Sequence, residues 1–307
     1  MLNTPNTIKA KVIRGVAVMD RLGFGTATFP KGVSKKDPLA AINAVHALGL
    51  DCLELEFAHG IRMKDETADE INKTARKLNV TLTAHAPYYI NLNAKEQDKI
   101  DASINRLLQT ARLAGMCGAY SMTFHAAFYM KDDPSTVFGI VKKYLNQITE
   151  KLQGEANAIH LRPELTGRKS QFGSLDELCA LSKEVSQVYP CLDFSHIEGE
   201  EDAAGNNFEY FCQIFERYKK ALGKQALSQM HIHVAGMLSS PKGECKTIPL
   251  KESTFNYTDF LRACAEHNVR GSIICESPEQ ETDALMLKNI WQEICTSSAL
   301  KKKKTLH

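Results

Sequence analysis

Eight short apolar segments recur along this chain, each bounded by turn-forming residues, with starts about 30 to 40 residues apart. They are LGFGTA (22–27), DCLELEF (51–57), TLTAHAP (81–87), YSMTFHAA (120–127), NAIHLRPEL (157–165), YPCLDFSH (189–196), QMHIHVA (229–235) and RGSIICES (270–277). Helix-like stretches lie between them. PLAAINAVHALGL (38–50) closes on a Gly-Leu suited to a helix C-terminus. DKIDASINRLLQTARLAGM (98–116) is a second, and SLDELCALSKEVSQV (174–188) opens with Ser174 and Glu177 spaced as a capping box.

Strands that are apolar almost throughout suit a parallel sheet covered on both faces. Eight strand–helix units of this length predict an α/β fold, a (β/α)8 TIM barrel with eight parallel strands. A doubly wound open sheet is the alternative, but GFGTATFP after the first strand lacks the Gly-x-Gly-x-x-Gly of a dinucleotide fold. No long linker or low-complexity stretch divides the chain. The expectation is one domain over residues 1–307, with peripheral tails at 1–20 and 297–307.

A hydrophobic content of 43% is globular, and a net charge of +2 gives no global attraction to nucleic acid, so any such contact must be a local patch. The nine cysteines form no Cys-x-x-Cys pair and several lie in apolar runs, as buried residues of a reducing compartment do. With no signal peptide and no apolar run of membrane length, a cytoplasmic chain without a membrane partner is expected. Lys301 to Lys304 read as a solvated tail.

In a barrel, chemistry belongs at the C-terminal ends of the strands. From the third segment to the eighth, those ends offer His85, His125, Glu164, Asp193 with His196 just beyond, His231 and His233 on one face, and Glu276. Each alone has an ordinary explanation. His85 and His125 fit core histidines bonded to carbonyls, Glu164 fits an ion pair with Arg162 or Arg168, and Glu276 fits a charge at a helix start. Together they do not. Six consecutive strands placing His, Asp or Glu at one end gather charge that is costly to bury unless a cation compensates it. Nitrogen and oxygen donors without cysteine point to zinc, manganese or iron.

As a set, AHAPYYINL, TFHAAF, RPELTG, CLDFSH, MHIHVAG and ICESP resemble the endonuclease IV family of apurinic/apyrimidinic endonucleases, within the wider xylose-isomerase-like barrels. The resemblance runs from Phe24 to Pro278. It implies a zinc cluster of two or three ions, with manganese possible. His85, His125 and Glu164 would hold the first ion, and Glu164, Asp193, His231 and Glu276 the second. His196 would serve a third. His233 falls where the family carries a polar residue that is not a ligand.

The loop after the seventh strand, SSPKGECKTIPL, departs from the family pattern. Glu244 can stand in for an aspartate ligand, but Lys246 or Thr247 stands where a histidine is expected, which weakens the third site. The resemblance also implies DNA contacts from Arg62 and Tyr88. The implied activity is metal-assisted hydrolysis of damaged duplex DNA at abasic sites in base-excision repair, by a monomer. Glu164 would hold the metals, and Glu276 would orient or deprotonate water. The alternative is a sugar isomerase or epimerase using Glu164, Asp193, His231 and Glu276 around a single ion, in which His85 and His125 have no ligand role.

Overall fold

The structure, a computed structural model of the chain, describes residues 19–34, 36–57, 63–195, 206–239 and 245–304. Eight parallel strands form the centre: β1 (Leu22–Thr26), β2 (Cys52–Glu56), β3 (Thr81–His85), β4 (Ser121–Phe124), β5 (His160–Pro163), β6 (Cys191–Asp193), β7 (Met230–Val234) and β8 (Gly271–Cys275). Neighbours run in the order β5-β4-β3-β2-β1-β8-β7-β6. Parallel bridges from Leu161 to Val188 and from Glu164 to Cys191 join the two ends, so the sheet closes into a TIM barrel.

The helices are α1 (Pro38–Ala47), α2 (Asp65–Leu78), α3 (Gln97–Met116), α4 (Pro134–Gly154), α5 (Leu175–Glu184), α6 (Phe208–Leu222), α7 (Tyr257–Glu266) and α8 (Gln280–Lys304). Leu48 caps the C-terminus of α1, and Gly49 follows at φ +73°, a left-handed turn that glycine adopts without strain. α5 carries the capping box: Ser174 Oγ accepts from the Glu177 N–H at 3.4 Å, and Glu177 Oε2 accepts from the Ser174 N–H at 3.0 Å. α8 runs to Lys304, so part of the segment expected as a tail is helical. Among the described residues no helix is long and apolar enough to cross a membrane.

Strand alternation sorts the core. Leu53, Leu55, Leu82, Ala84, Met122, Leu161, Leu192, Ile232, Val234 and Ile273 belong to the apolar cluster beneath the helices. The intervening positions are polar and buried: Glu54, Thr83, His85, Ser121, Thr123, Arg162, Asp193, His231, His233 and Ser272. A barrel interior is ordinarily filled with branched apolar side chains. This one is lined with hydrogen-bonding groups instead. Close strand approach is built in at Gly25, where a Cβ would fall 2.0 Å from the Cys52 carbonyl oxygen.

At the N-terminal end, Arg162 is buried and donates to the Pro190 carbonyl at 2.9 Å and to the Gln229 carbonyl. His160 is buried there too, its ring 4.7 Å from that of Tyr189 and its Nδ1 without a hydrogen-bond partner. Burial, then the Arg162 charge, pushes His160 down to about 3. The folded protein therefore keeps this ring neutral while the unfolded chain takes up a proton near pH 6.5. The stability is full above that pH and is lost as pH falls toward about 3, at up to about 1.4 kcal/mol per pH unit. His160→Phe keeps a ring against Tyr189 and removes the titration. Urea unfolding from pH 7 to pH 4 is expected to show wild type losing stability relative to the variant across that range. A difference independent of pH would refute the assignment.

Candidate active site

The mouth of the barrel is assembled at strand ends. His85 is the last residue of β3. Its Nδ1 lies 2.7 Å from the Ala86 carbonyl, which can only accept, so Nδ1 carries the proton. Nε2 faces Glu164 Oε2 at 3.6 Å, too long for a hydrogen bond. His125, just past β4, brings its Nε2 to 3.5 Å from the same oxygen. Glu164 follows β5 and is buried, and its Oε2 accepts no hydrogen bond.

The other face of Glu164 looks toward β7. Its Oε1 lies 2.8 Å from His233 Nδ1, which is also 3.1 Å from Glu276 Oε1. Asp193 ends β6 level with His233, and its Oδ1 accepts from the backbone N–H and hydroxyl of Ser195 at 2.7 and 2.6 Å. Carboxylate oxygens of Glu164, Asp193 and Glu276 converge within 4.8 Å of one another. Glu276, reached from β8, borders a cavity of about 230 Å³ that it shares with Thr28, Glu56, Tyr88, Thr247 and Gln280.

Two neighbouring residues of one strand face take different levels. His231 stands level with Cys191 and Ser272, and His233 with Asp193 and Ile274. Two residues of strand rise separate them by about 6.6 Å along the axis. His231 thus lies below the mouth, its Nδ1 2.9 Å from Ser121 Oγ and its Nε2 2.9 Å from Glu54 Oε2. The geometry places His233, not the expected His231, against Glu164 and Glu276.

Glu54 has no counterpart among the residues singled out from sequence. It is completely buried, accepts from Thr83 Oγ1 at 2.9 Å, and sits 3.2 Å from His233 Nε2 as well as against His231. Its signal was present in DCLELEF, where two glutamates fall on one face of an otherwise apolar strand.

Of the other expected residues, Tyr88 stands on the rim, 59% exposed, with its ring 5.6 Å from that of His85. Thr247 lines the cavity from the hairpin of Gly236–Ser239 with Cys245–Ile248, and Lys246 beside it is exposed. Arg62, His196 and Glu244 lie outside the described residues.

The protonation pattern shows what this mouth requires. Burial alone would lower His85, but the facing Glu164 carboxylate outweighs it and lifts the imidazole to about 9. Burial is likewise outweighed at His233, which neighbouring Cys191, Glu276, Glu54 and Glu164 raise well above its ordinary value. Glu164 is held well below the carboxylate range against burial, by His125 and His233. Glu276 is pushed up to about 7 by burial, with Glu164 and Asp193 adding to the rise. In this state imidazolium protons supply the positive charge that the carboxylates need.

A divalent cation would supply the same charge. The donors fit one: a buried carboxylate oxygen without a hydrogen bond, faced by two imidazole nitrogens, is a donor set that a cation would complete. Nitrogen and oxygen donors suit zinc or manganese. Cys191, below the mouth beside His231 and His233, is pushed up to about 11 by burial, which keeps its thiol protonated in the absence of an ion.

The profile of the xylose isomerase-like TIM barrel family matches residues 42–293, and the chain belongs to that family. It is 37% identical over 271 residues to an uncharacterized protein of Methanocaldococcus jannaschii, covering 88% of this chain and 97% of that protein. It is 27% identical over 196 residues to a probable endonuclease 4 of Aster yellows witches'-broom phytoplasma, covering 61% of this chain and 64% of that one. Among solved structures, endonuclease IV from Thermus thermophilus superposes with a TM-score of 0.66 at 16% identity, over 90% of this chain and 99% of its own. A D-tagatose 3-epimerase-like protein superposes with a TM-score of 0.68 at 15% identity, over 91% of this chain and 99% of its own. At such identities the two superpositions establish the shared barrel and leave the chemistry to the site.

Because Glu164 faces both donor sets, Glu164→Ala is expected to lower divalent-ion uptake at both together. The affinity loss should exceed about 100-fold, more than removal of an outer partner causes. Equilibrium dialysis with zinc measures it. Loss of a single class of ion would contradict the two-sided placement of Glu164.

Proposed function

We propose that this chain is a two-metal phosphodiesterase that cuts duplex DNA at abasic sites, using zinc, with manganese able to replace it. The observation that carries this reading is the two-sided environment of Glu164. One oxygen faces His85 and His125, and the other faces His233 with Glu276 beside it. On this reading His85, His125 and Glu164 hold one ion, and Glu164, Asp193, His233 and Glu276 hold the second. His196 and Glu244 would contribute to a third, weaker ion, since neither Lys246 nor Thr247 offers an imidazole there.

Paired divalent ions in such a site supply Lewis acidity to a phosphodiester and stabilise charge on the attacking and leaving oxygens. The chain does the rest. Asp193 is locked by Ser195, which fixes its oxygen toward the mouth. Glu276, at the cavity edge, orients the attacking water and takes its proton at a carboxylate oxygen. Tyr88 offers a ring on the rim against which the extruded nucleotide or its unpaired partner packs, and Arg62 is assigned to the same contact. A nucleotide without a base is the cheapest to bring out of the stack, which favours abasic sites over intact duplex.

A sugar epimerase or isomerase is the second reading. It is favoured by a single-ion set complete in Glu164, Asp193, His233 and Glu276, next to a cavity whose Thr28, Glu56, Thr247 and Gln280 suit hydroxyl groups. It leaves His85 and His125 without a ligand role.

A labelled duplex carrying one abasic analogue, incubated with zinc and with manganese, separates the two. Nicking 5′ of the lesion to leave a 3′-hydroxyl, much faster than cleavage of intact duplex, is expected. With a net charge of only +2, few phosphate contacts and a shallow salt dependence are expected as well. No nicking with either metal, together with turnover of a ketose or aldose, would transfer the assignment to the epimerase.

A further inference from the structure

Beneath the mouth a continuous polar chain runs from Ser121 up to His233 and Glu164, and its lower members, Ser121, His231 and Glu54, have no part in the proposed chemistry. Ser121 Oγ meets His231 Nδ1 at 2.9 Å, and His231 Nε2 meets Glu54 Oε2 at 2.9 Å. Glu54 Oε1 stands 3.2 Å from His233 Nε2, and His233 Nδ1 reaches Glu164 Oε1 at 2.8 Å. Glu54, His231 and His233 have completely buried side chains. Thr83, level with Glu54 on the adjacent strand, adds a hydroxyl donor to Oε2 at 2.9 Å.

We propose that Glu54 is a positioning residue that holds the proton of His233 on Nε2 and so turns the Nδ1 lone pair toward Glu164 and Glu276, making His233 a ligand at the mouth. The inference rests on the two-metal reading above. Both ring nitrogens face carboxylates: Nδ1 lies 2.8 Å from Glu164 and 3.1 Å from Glu276, and Nε2 lies 3.2 Å from Glu54. With Glu164 and Glu276 engaged by an ion, Glu54 is the carboxylate left to accept the proton of a neutral ring, which then stays on Nε2 and leaves Nδ1 to donate electrons. The same carboxylate accepts from His231 Nε2, whose Nδ1 then accepts from the Ser121 hydroxyl. His231 thereby holds Glu54 in place, as does the Thr83 hydroxyl. An outer carboxylate that orients a ligating histidine commonly contributes 10–100-fold to metal affinity.

Glu54→Gln preserves size but replaces one acceptor oxygen with an N–H donor pair, so one imidazole loses its acceptor. The test is zinc binding to the whole chain by isothermal titration, alongside nitrogen NMR of the histidine rings in the zinc-loaded wild type. Wild type is expected to take up two ions tightly, with any third bound more weakly. Glu54→Gln is expected to lose about 10–100-fold in affinity for the ion next to His233 and to keep the ion at His85 and His125. In loaded wild type, His233 is expected to carry its proton on Nε2. Uptake of one ion or none by wild type would overturn the two-metal reading itself. Two ions in wild type with unchanged affinities in Glu54→Gln would overturn the role of Glu54 alone. A proton on Nδ1 of His233 would overturn it even if the variant did not fold.

Discussion

The structure turns on a charge balance at the mouth of the barrel. Glu164, Asp193 and Glu276 gather around His85, His125 and His233, with Glu54 just below, and all but His125 and Glu276 are buried. Carboxylates brought together in low dielectric repel one another strongly, and only fixed positive charge makes the arrangement stable. Without an ion, imidazolium protons on His85 and His233 supply it, and Glu276 stays close to half protonated near neutrality. Divalent ions would replace those protons, so uptake of metal and release of protons are coupled.

This balance also explains the polar barrel interior. Carboxylates and imidazoles this close need side chains held at fixed angles, and the layer below supplies the holding groups: Glu54, Thr83, Ser121 and His231. Below these, Arg162 is held by the Pro190 and Gln229 carbonyls, with the ring of Tyr189 5.5 Å from its guanidinium. Two classes of chemistry occur on such barrels, as the named endonuclease and epimerase neighbours illustrate. Here the feature that separates them is the pair His85 and His125, both aimed at the free oxygen of Glu164.

Much of this was legible in the sequence because barrel geometry converts sequence order into place. Eight apolar segments gave eight strands, and Ser174 with Glu177 gave the start of α5. A polar residue at a strand's C-terminal end must lie at the mouth, so His85, His125, Glu164, Asp193 and Glu276 meet there. What could not be read was depth. His231 and His233 share a face and differ only in level, and level is fixed by register with β6 and β8, which no single segment encodes. Glu54 was hidden for a related reason: within CLELE it resembles a strand's polar alternate, and only closure of the barrel shows that its face is the interior.

The most direct measurement is anomalous diffraction at the zinc absorption edge from crystals of the zinc-loaded protein. The account predicts two strong peaks at the mouth, one on each side of the Glu164 carboxylate, one bordered by His85 and His125 and the other by Asp193, His233 and Glu276. A single peak on the Asp193 side, with His85 and His125 still turned toward an unliganded Glu164 oxygen, would contradict it.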